Sequence, residues 1–253
     1  AIQFQVGFAE KTYATFSMTA KNQGGHSSMP RADNAIYDLA RAIQRLEAYT
    51  FPVETNEITL TYFARTAPLL DNEVGEAMAR LVADPTDAEA ISTLRAQPQY
   101  VGTLGTTCIP TILSGGHAEN ALPRAVTAVV NCRIFPGHNP AEIMRELQRV
   151  TDNPDLEWRV VGVPVTSPAS SFNTEVMDAI AASLGPIHGA LPIVPKMGSG
   201  TTDGAYWRAA GIPSYSFTGI FINPKDSFAH GLNERVPRAA VSESLRFWRA
   251  MIY

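Results

Sequence analysis

Cysteine is scarce: the 253 residues hold two, Cys108 and Cys132, and they lie far apart. So few argue against a disulfide-built scaffold, and they leave the compartment open between cytoplasm and periplasm or exterior. No apolar run approaches the roughly 20 residues a membrane span needs. No basic block stands out among 20 Lys+Arg and 24 Asp+Glu, a net charge of −4, which argues against nucleic acid as a partner. There is no G-x-S-x-G elbow, so a serine-hydrolase reading fails. Gly198, Gly200 and Gly204 are spaced G-x-G-x-x-x-G with no Lys-Ser/Thr behind them, so a nucleotide phosphate loop is discounted. No internal repeat or low-complexity tract interrupts the chain. With 45% hydrophobic residues, it can bury a core of one large or two modest domains.

What is present is strongly patterned. Residues 1–6 read as a strand already under way, without initiator Met, signal pattern or cap, so an upstream segment is expected. "YATFSMTA", 13–20, alternates, with Ala14, Phe16, Met18 and Ala20 on one face. Residues 34–48 place Ile36, Leu39, Ala40, Ile43 and Leu46 at helical spacing, with Asp33 as the expected N-cap. "EITLTYFA", 57–64, reads as a second strand. Residues 71–96 are acidic, alanine-rich and helical, interrupted at Asp84-Pro85. Strands follow at 107–116 and 125–135, a helix opened by Asn139-Pro140 runs to about Val150, and another strand covers 156–163. That order fits an antiparallel sheet with helices on one face. Pro/Ser-rich residues 164–171 make a boundary. Beyond it come a helix at 173–184 ending at Gly185, a strand near 192–195, a strand "SYSFTG" at 214–219 and a final helix from about Pro237 to Ile252.

Three stretches carry candidate chemistry. In "NQGGHSSMP", 22–30, two glycines precede His26 on a loop; it is either an ordinary surface histidine or one presented to a ligand as donor or proton carrier. In 114–137, Asn120 sits between two strands. Arg133 shares a strand face with Thr127, Val129 and Asn131, where a guanidinium could clamp a carboxylate or simply meet solvent. His117 reads as a loop residue. In "MGSGTTDGAYW" with "FAHGLNERVP", His230 is either structural or a metal ligand.

"FAEK" at 8–11, "GGHSSMP", "NAIYDLARAIQRLE", "SGGHAENALP", "VVNCRIFPG", "GSGTTD" and "AHGLNERV" occur in the order found in M20-family zinc metallopeptidases. The chain resembles that family from about residue 7 onward, and most closely its carboxypeptidase S-like branch. The resemblance implies α/β plus α+β architecture: a ferredoxin-like lid (dimerisation) domain at about 11–165, with a helical insert at about 66–100, followed at 166–253 by the C-terminal part of a zinc-peptidase α/β catalytic domain. Residues 1–10 would be the tail of that domain's N-terminal part.

By the same resemblance, His26 matches a lid histidine that stabilises an oxyanion, often in the partner subunit's site. Asn120 and Arg133 match residues that hold the substrate and its carboxylate, and Gly200, Thr201, Thr202 and Asp203 match a substrate-lining loop. His230 matches one ligand of a two-zinc site. The family's other ligands come from a His-x-Asp motif, a bridging Asp and a Glu-Glu pair, and this sequence has neither His-x-Asp nor Glu-Glu. One histidine cannot bring a bound water to neutral pKa. The implied whole is a metal-dependent hydrolase of peptide or N-acyl amino-acid bonds, a homodimer through the lid, of which this chain is a piece expected to be inactive alone. An inert dimerisation and substrate-binding fragment, and an N-acyl amino-acid deacylase of the same family, are the alternatives.

Overall fold

The computed structural model describes residues 3–223, 226, 228 and 231–253. Two sheets meet end to end at one residue. Strand β1 (Phe4–Glu10) pairs in parallel with β8 (Ile193–Gly198), while β2 (Thr12–Lys21) begins a separate four-stranded sheet. Only Lys11 separates β1 from β2.

The four-stranded sheet has the order β4 (Thr107–Gly115), β6 (Ala125–Ile134), β2, β7 (Glu157–Val161), and every pairing is antiparallel. Helices α1 (Ala35–Ala48) and α6 (Pro140–Thr151) cover one face. In chain order this is β-α-β-β-α-β with the fourth strand beside the first, the ferredoxin-like arrangement. The alternation read from the sequence has its cause here. Ala14, Phe16, Met18 and Ala20 meet Ala128, Val130, Cys132 and Ile134 under Leu39, Leu46, Ile143 and Leu147. Full burial of a side chain such as Phe16 contributes about 2–3 kcal/mol before entropy is counted. Cys108 and Cys132, 24 residues apart in sequence, stand opposite each other across β4 and β6 and form a disulfide. The strand register, not the spacing, makes that pair.

The remaining helices pack on the smaller sheet. α7 (Thr174–His188) and α9 (Arg238–Ile252) enclose Phe4, Val6, Phe8 and Met197 with Ile180, Leu184 and Phe247. A helical group of α2 (Glu57–Thr66), α3 (Glu73–Ala83), α4 (Ala88–Arg95) and the short α5 (Pro98–Val101) buries Tyr62, Phe63, Met78, Leu81 and Leu94 against Val194 of β8.

Residues 57–64 are therefore helix, not strand. Asn56 and Thr59 form a reciprocal capping box, and Ile58, Thr59, Tyr62, Phe63 and Thr66 make one helical face. The period-2 hydrophobics hid a period-3.6 stripe. Asn34, not Asp33, caps α1, its side chain accepting from the Ile36 N–H; Asp33 pairs instead with Arg31. α7 runs past Gly185 because Pro186 forfeits one backbone bond without unwinding the helix, and the left-handed Gly189 ends it. "SYSFTG" contributes a single bridge, Ser216 to Gly7. A Cβ on Gly7 would lie 2.0 Å from Ser216 Oγ and 3.2 Å from Ser216 O, so any larger residue would force the Ser216 side chain to turn away.

Candidate functional site

The candidate residues divide between the two ends of the four-stranded sheet. At the outer end, β3 (Gly25–His26) pairs with β5 (Ala121–Leu122), and His26 stands opposite Ala121. The loop read from sequence is thus stitched to the connection that carries Asn120. Asn22 N–H donates to Arg124 O at 2.9 Å and Ser27 N–H to Asn120 O at 3.0 Å. Gly24, at φ +78°, is required twice over: its backbone is left-handed, and a Cβ would sit 2.9 Å from Arg124 Cγ and 3.2 Å from Leu122 O. Asn22 Oδ1 accepts from the Gly24 N–H at 2.8 Å and fixes the turn.

His26 is exposed and oriented. Its Nδ1 lies 3.2 Å from the Ser28 N–H, which can only donate, and 2.8 Å from Ser28 Oγ. Nδ1 is therefore an acceptor, and the neutral ring carries its proton on Nε2. That N–H is the ring's donor, and His26 and Asn120, whose carbonyl holds the next residue of the loop, are both exposed.

At the inner end stand Arg133 and the loop Gly200–Asp203. Arg133 is directly opposite Tyr13 on β2 and Thr107 on β4, with Cζ 4.5 Å over the Tyr13 ring. The loop is held from below. Thr201 Oγ1 donates to Lys11 O at 3.2 Å, Thr202 N–H to Glu10 Oε2 at 3.0 Å, and the Thr202 hydroxyl bonds Glu10 Oε1. Asp203 opens α8 (Gly204–Ala209) without a side-chain cap bond and stays exposed. From Tyr13 to Lys21, β2 advances eight residues, or about 26 Å at the rise of a strand. His26 and Asn120 lie beyond that far end. The fold joins His26 to Asn120, sets Arg133 and the Thr201–Thr202 loop at the opposite end of the sheet, and keeps the two groups apart.

Several buried polar residues to which the motifs assign no role, Glu10 and Lys11 of "FAEK" among them, sit at the inner end. Glu10 and Lys11 are 4% and 1% exposed. Arg208, also buried, places Nη2 3.1 Å from Glu10 Oε2 in an ion pair, while its Nε and Nη2 make no hydrogen bond. Lys11 Nζ donates to Gly102 O at 2.9 Å and Thr107 Oγ1 at 3.3 Å. Burial first, then the Arg133 charge, push the Lys11 ammonium down to about 8, and Glu54 partly offsets them. Glu54 itself pairs with His138. The available signal was two opposite charges, Glu10-Lys11, joining two apolar strands with no turn residue between them.

Among the described residues, no group of three or more His, Cys, Asp or Glu side chains is placed to hold a metal ion. His230, the expected ligand, lies outside the described residues. Glu10 has the right chemistry for a cation, but Thr202 and Arg208 engage its oxygens. The described side chains do not by themselves make a zinc site.

Known proteins share this arrangement. Residues 8–159 match the peptidase dimerisation domain of M20 enzymes. The chain is 26% identical over 253 residues to the N-fatty-acyl-amino acid synthase/hydrolase PM20D1 of Xenopus tropicalis, covering 98% of this chain and 48% of that protein. It is 22% identical over 254 residues to the probable carboxypeptidase S-like 2 of Dictyostelium discoideum, covering 98% and 47%. The chain thus spans about half the length of the curated relatives it matches. Its fold matches the M20 family metallo-carboxypeptidase Sso-CP2 from Sulfolobus solfataricus with a TM-score of 0.64 at 18% identity, over 99% of this chain and 60% of that one. This chain belongs to the M20 peptidase family, and most of its four-stranded sheet and helical group is that family's dimerisation domain.

Proposed function

We propose that the protein is a metal-dependent hydrolase of peptide or N-acyl amino-acid amide bonds, that its substrates bear a free carboxylate, and that it works as a homodimer through the lid. The observation that carries this reading is the separation of the two candidate groups. A small substrate cannot touch both ends of a 26 Å strand. If Arg133 and the Thr201–Thr202 loop hold the substrate of one subunit, His26 and Asn120 are free to reach the site of the other. One relative is an N-fatty-acyl-amino acid synthase/hydrolase and another a probable carboxypeptidase S-like protein, names that support this substrate class.

Zinc is the expected metal, with His230 as one ligand; it would polarise the scissile carbonyl and supply the attacking hydroxide. The described residues do not complete that centre, so only the side-chain roles follow. Arg133 presents a planar fork that matches a carboxylate. The His26 Nε2 proton, fixed by the Ser28 contact, donates to the oxyanion as the carbonyl becomes tetrahedral. The exposed Asn120 stands alongside to bind the substrate's polar groups.

The dimer surface is the free edge of β4. Among the described residues that strand pairs only with β6, and Ile109, Ile112 and Leu113 are exposed along it. Ile43, Pro110, Ile112 and Leu113 line a groove of about 490 Å³ between α1 and β4. An open apolar edge of this kind seeks a partner strand.

Mixed dimers test the arrangement. Full-length His26→Ala and Arg133→Ala proteins, each inactive alone, should recover about a quarter of wild-type activity when mixed, because half the dimers then hold one intact site. Leu113→Lys in both proteins should abolish the recovery. No recovery from stable mixed dimers would sink the cross-subunit reading.

A further inference from the structure

The Gly200–Asp203 loop meets Lys11, and Lys11 in turn reaches Thr107, the residue opposite Arg133. Lys11 N–H donates to Gly198 O at 2.9 Å, and its carbonyl accepts from Thr201 Oγ1 at 3.2 Å, so the loop grips its backbone on both sides. Its side chain runs toward the lid sheet, where Nζ donates to Gly102 O and Thr107 Oγ1. Thr107, Arg133 and Tyr13 are directly opposed across three strands and share one face. Lys11 closes the end of that row.

Thr107, which accepts from Lys11 Nζ and stands opposite Arg133, thus lies between two cations, one buried and one half-buried. Of the carboxylates nearby, Glu10 is engaged by Thr202 and Arg208, and Glu54, bonded to His138, offsets the Lys11 charge only in part. A like-charged pair costs free energy, and a buried ammonium costs more unless an anion completes it. An ammonium has three donors; two are placed on Gly102 and Thr107.

We propose that Lys11 is a specificity-determining residue that, with Arg133, forms a two-cation receptor for the substrate's free carboxylate. Arg133, half-buried, makes the contact. Lys11 stands behind it as a fixed positive charge whose effect is only weakly screened because water is excluded around it. This rests on the reading of Arg133 given above. The receptor discriminates by charge: an acid is accepted, and a neutral molecule of the same shape is not.

The test is calorimetric binding of 4-methylpentanoate and of neutral 4-methylpentanol to the full-length protein and its variants. Neither probe has a scissile bond. The wild type should prefer the acid. Lys11→Met should lower acid affinity about tenfold and leave the alcohol unchanged. Thr107→Val, which removes one acceptor that aims Nζ, should cost about threefold in acid affinity and serves where Lys11→Met does not fold. Arg133→Gln should abolish the preference. A preference lost in Arg133→Gln but intact in Lys11→Met or, failing that, in Thr107→Val overturns the role of Lys11 and leaves Arg133 standing. A wild type with no preference for the acid overturns the reading of Arg133, and this inference with it.

Discussion

The two ends of the lid sheet are built on opposite plans. At the outer end, backbone bonds hold an exposed loop and leave a side chain free: His26 has one ring nitrogen tied to Ser28 and the other facing solvent. At the inner end, buried charges do the holding. The Glu10 carboxylate takes the Thr202 N–H and pairs with Arg208, while the Lys11 backbone bonds Gly198 and Thr201 and its side chain ties in Gly102 and Thr107. The first plan suits a group that must reach out and donate. The second suits a surface that must stay put while charge is matched.

Breaking each plan should give different signatures. The largest effect is expected at the outer end: His26→Ala in the full-length enzyme should lower kcat by about 10²–10³ with KM little changed, as for loss of one oxyanion donor. An unchanged kcat in steady-state assays would remove His26 from the mechanism. At the inner end the signature is pH-dependent stability. Lys11 holds its proton to about 8 in the folded chain and to its ordinary 10.5 when unfolded. Between those values the unfolded chain binds one more proton, so stability rises with pH across that window, by about 3 kcal/mol, and the cost is fully present below it. Urea unfolding at pH 7.5, 9 and 10.5 should show the rise in wild type and a flatter profile in Lys11→Met. The smallest effect sharpens the contrast. Gly24→Ala forces a left-handed alanine against Arg124 and should cost about 1–2 kcal/mol. Because the loss is local, hydrogen exchange should speed at residues 22–28 and 120–124 and hardly change along β2.

The parts of this molecule legible in the sequence are those where one physical rule acts alone. The lid strands followed from alternation because each has one dry face, as Phe16 and Met18 show against the half-buried Thr15 and Ser17. α2 was misread because Ile58, Leu60 and Tyr62 satisfy a strand period, while the capping box at Asn56 and burial of Phe63 decide for helix. The Cys108–Cys132 bond depends on register, which no local pattern encodes. His26, Asn120 and Arg133 were named from motifs, but their grouping was not, since which loop meets which is a property of the assembled sheet. Glu10 and Lys11 escaped because charge beside a strand reads as a solvated end, and only the second sheet buries them.

Four stretches of chain pass between the two sheets' bodies: Lys11, residues 49–56, residues 102–106, and residues 162–173. Lys11 bonds the third through Gly102, and Glu54 of the second bonds Leu104 of the third at 3.1 Å. Three crossings are thus knotted at one point, while the fourth carries Val163 almost fully in solvent before Ser170 anchors to Phe8 O. A rotation of the four-stranded sheet against the smaller one would turn about Lys11, with residues 162–169 as the slack. Such a rotation would carry Arg133, near the pivot, through a short arc and His26, beyond the far end of β2, through a long one.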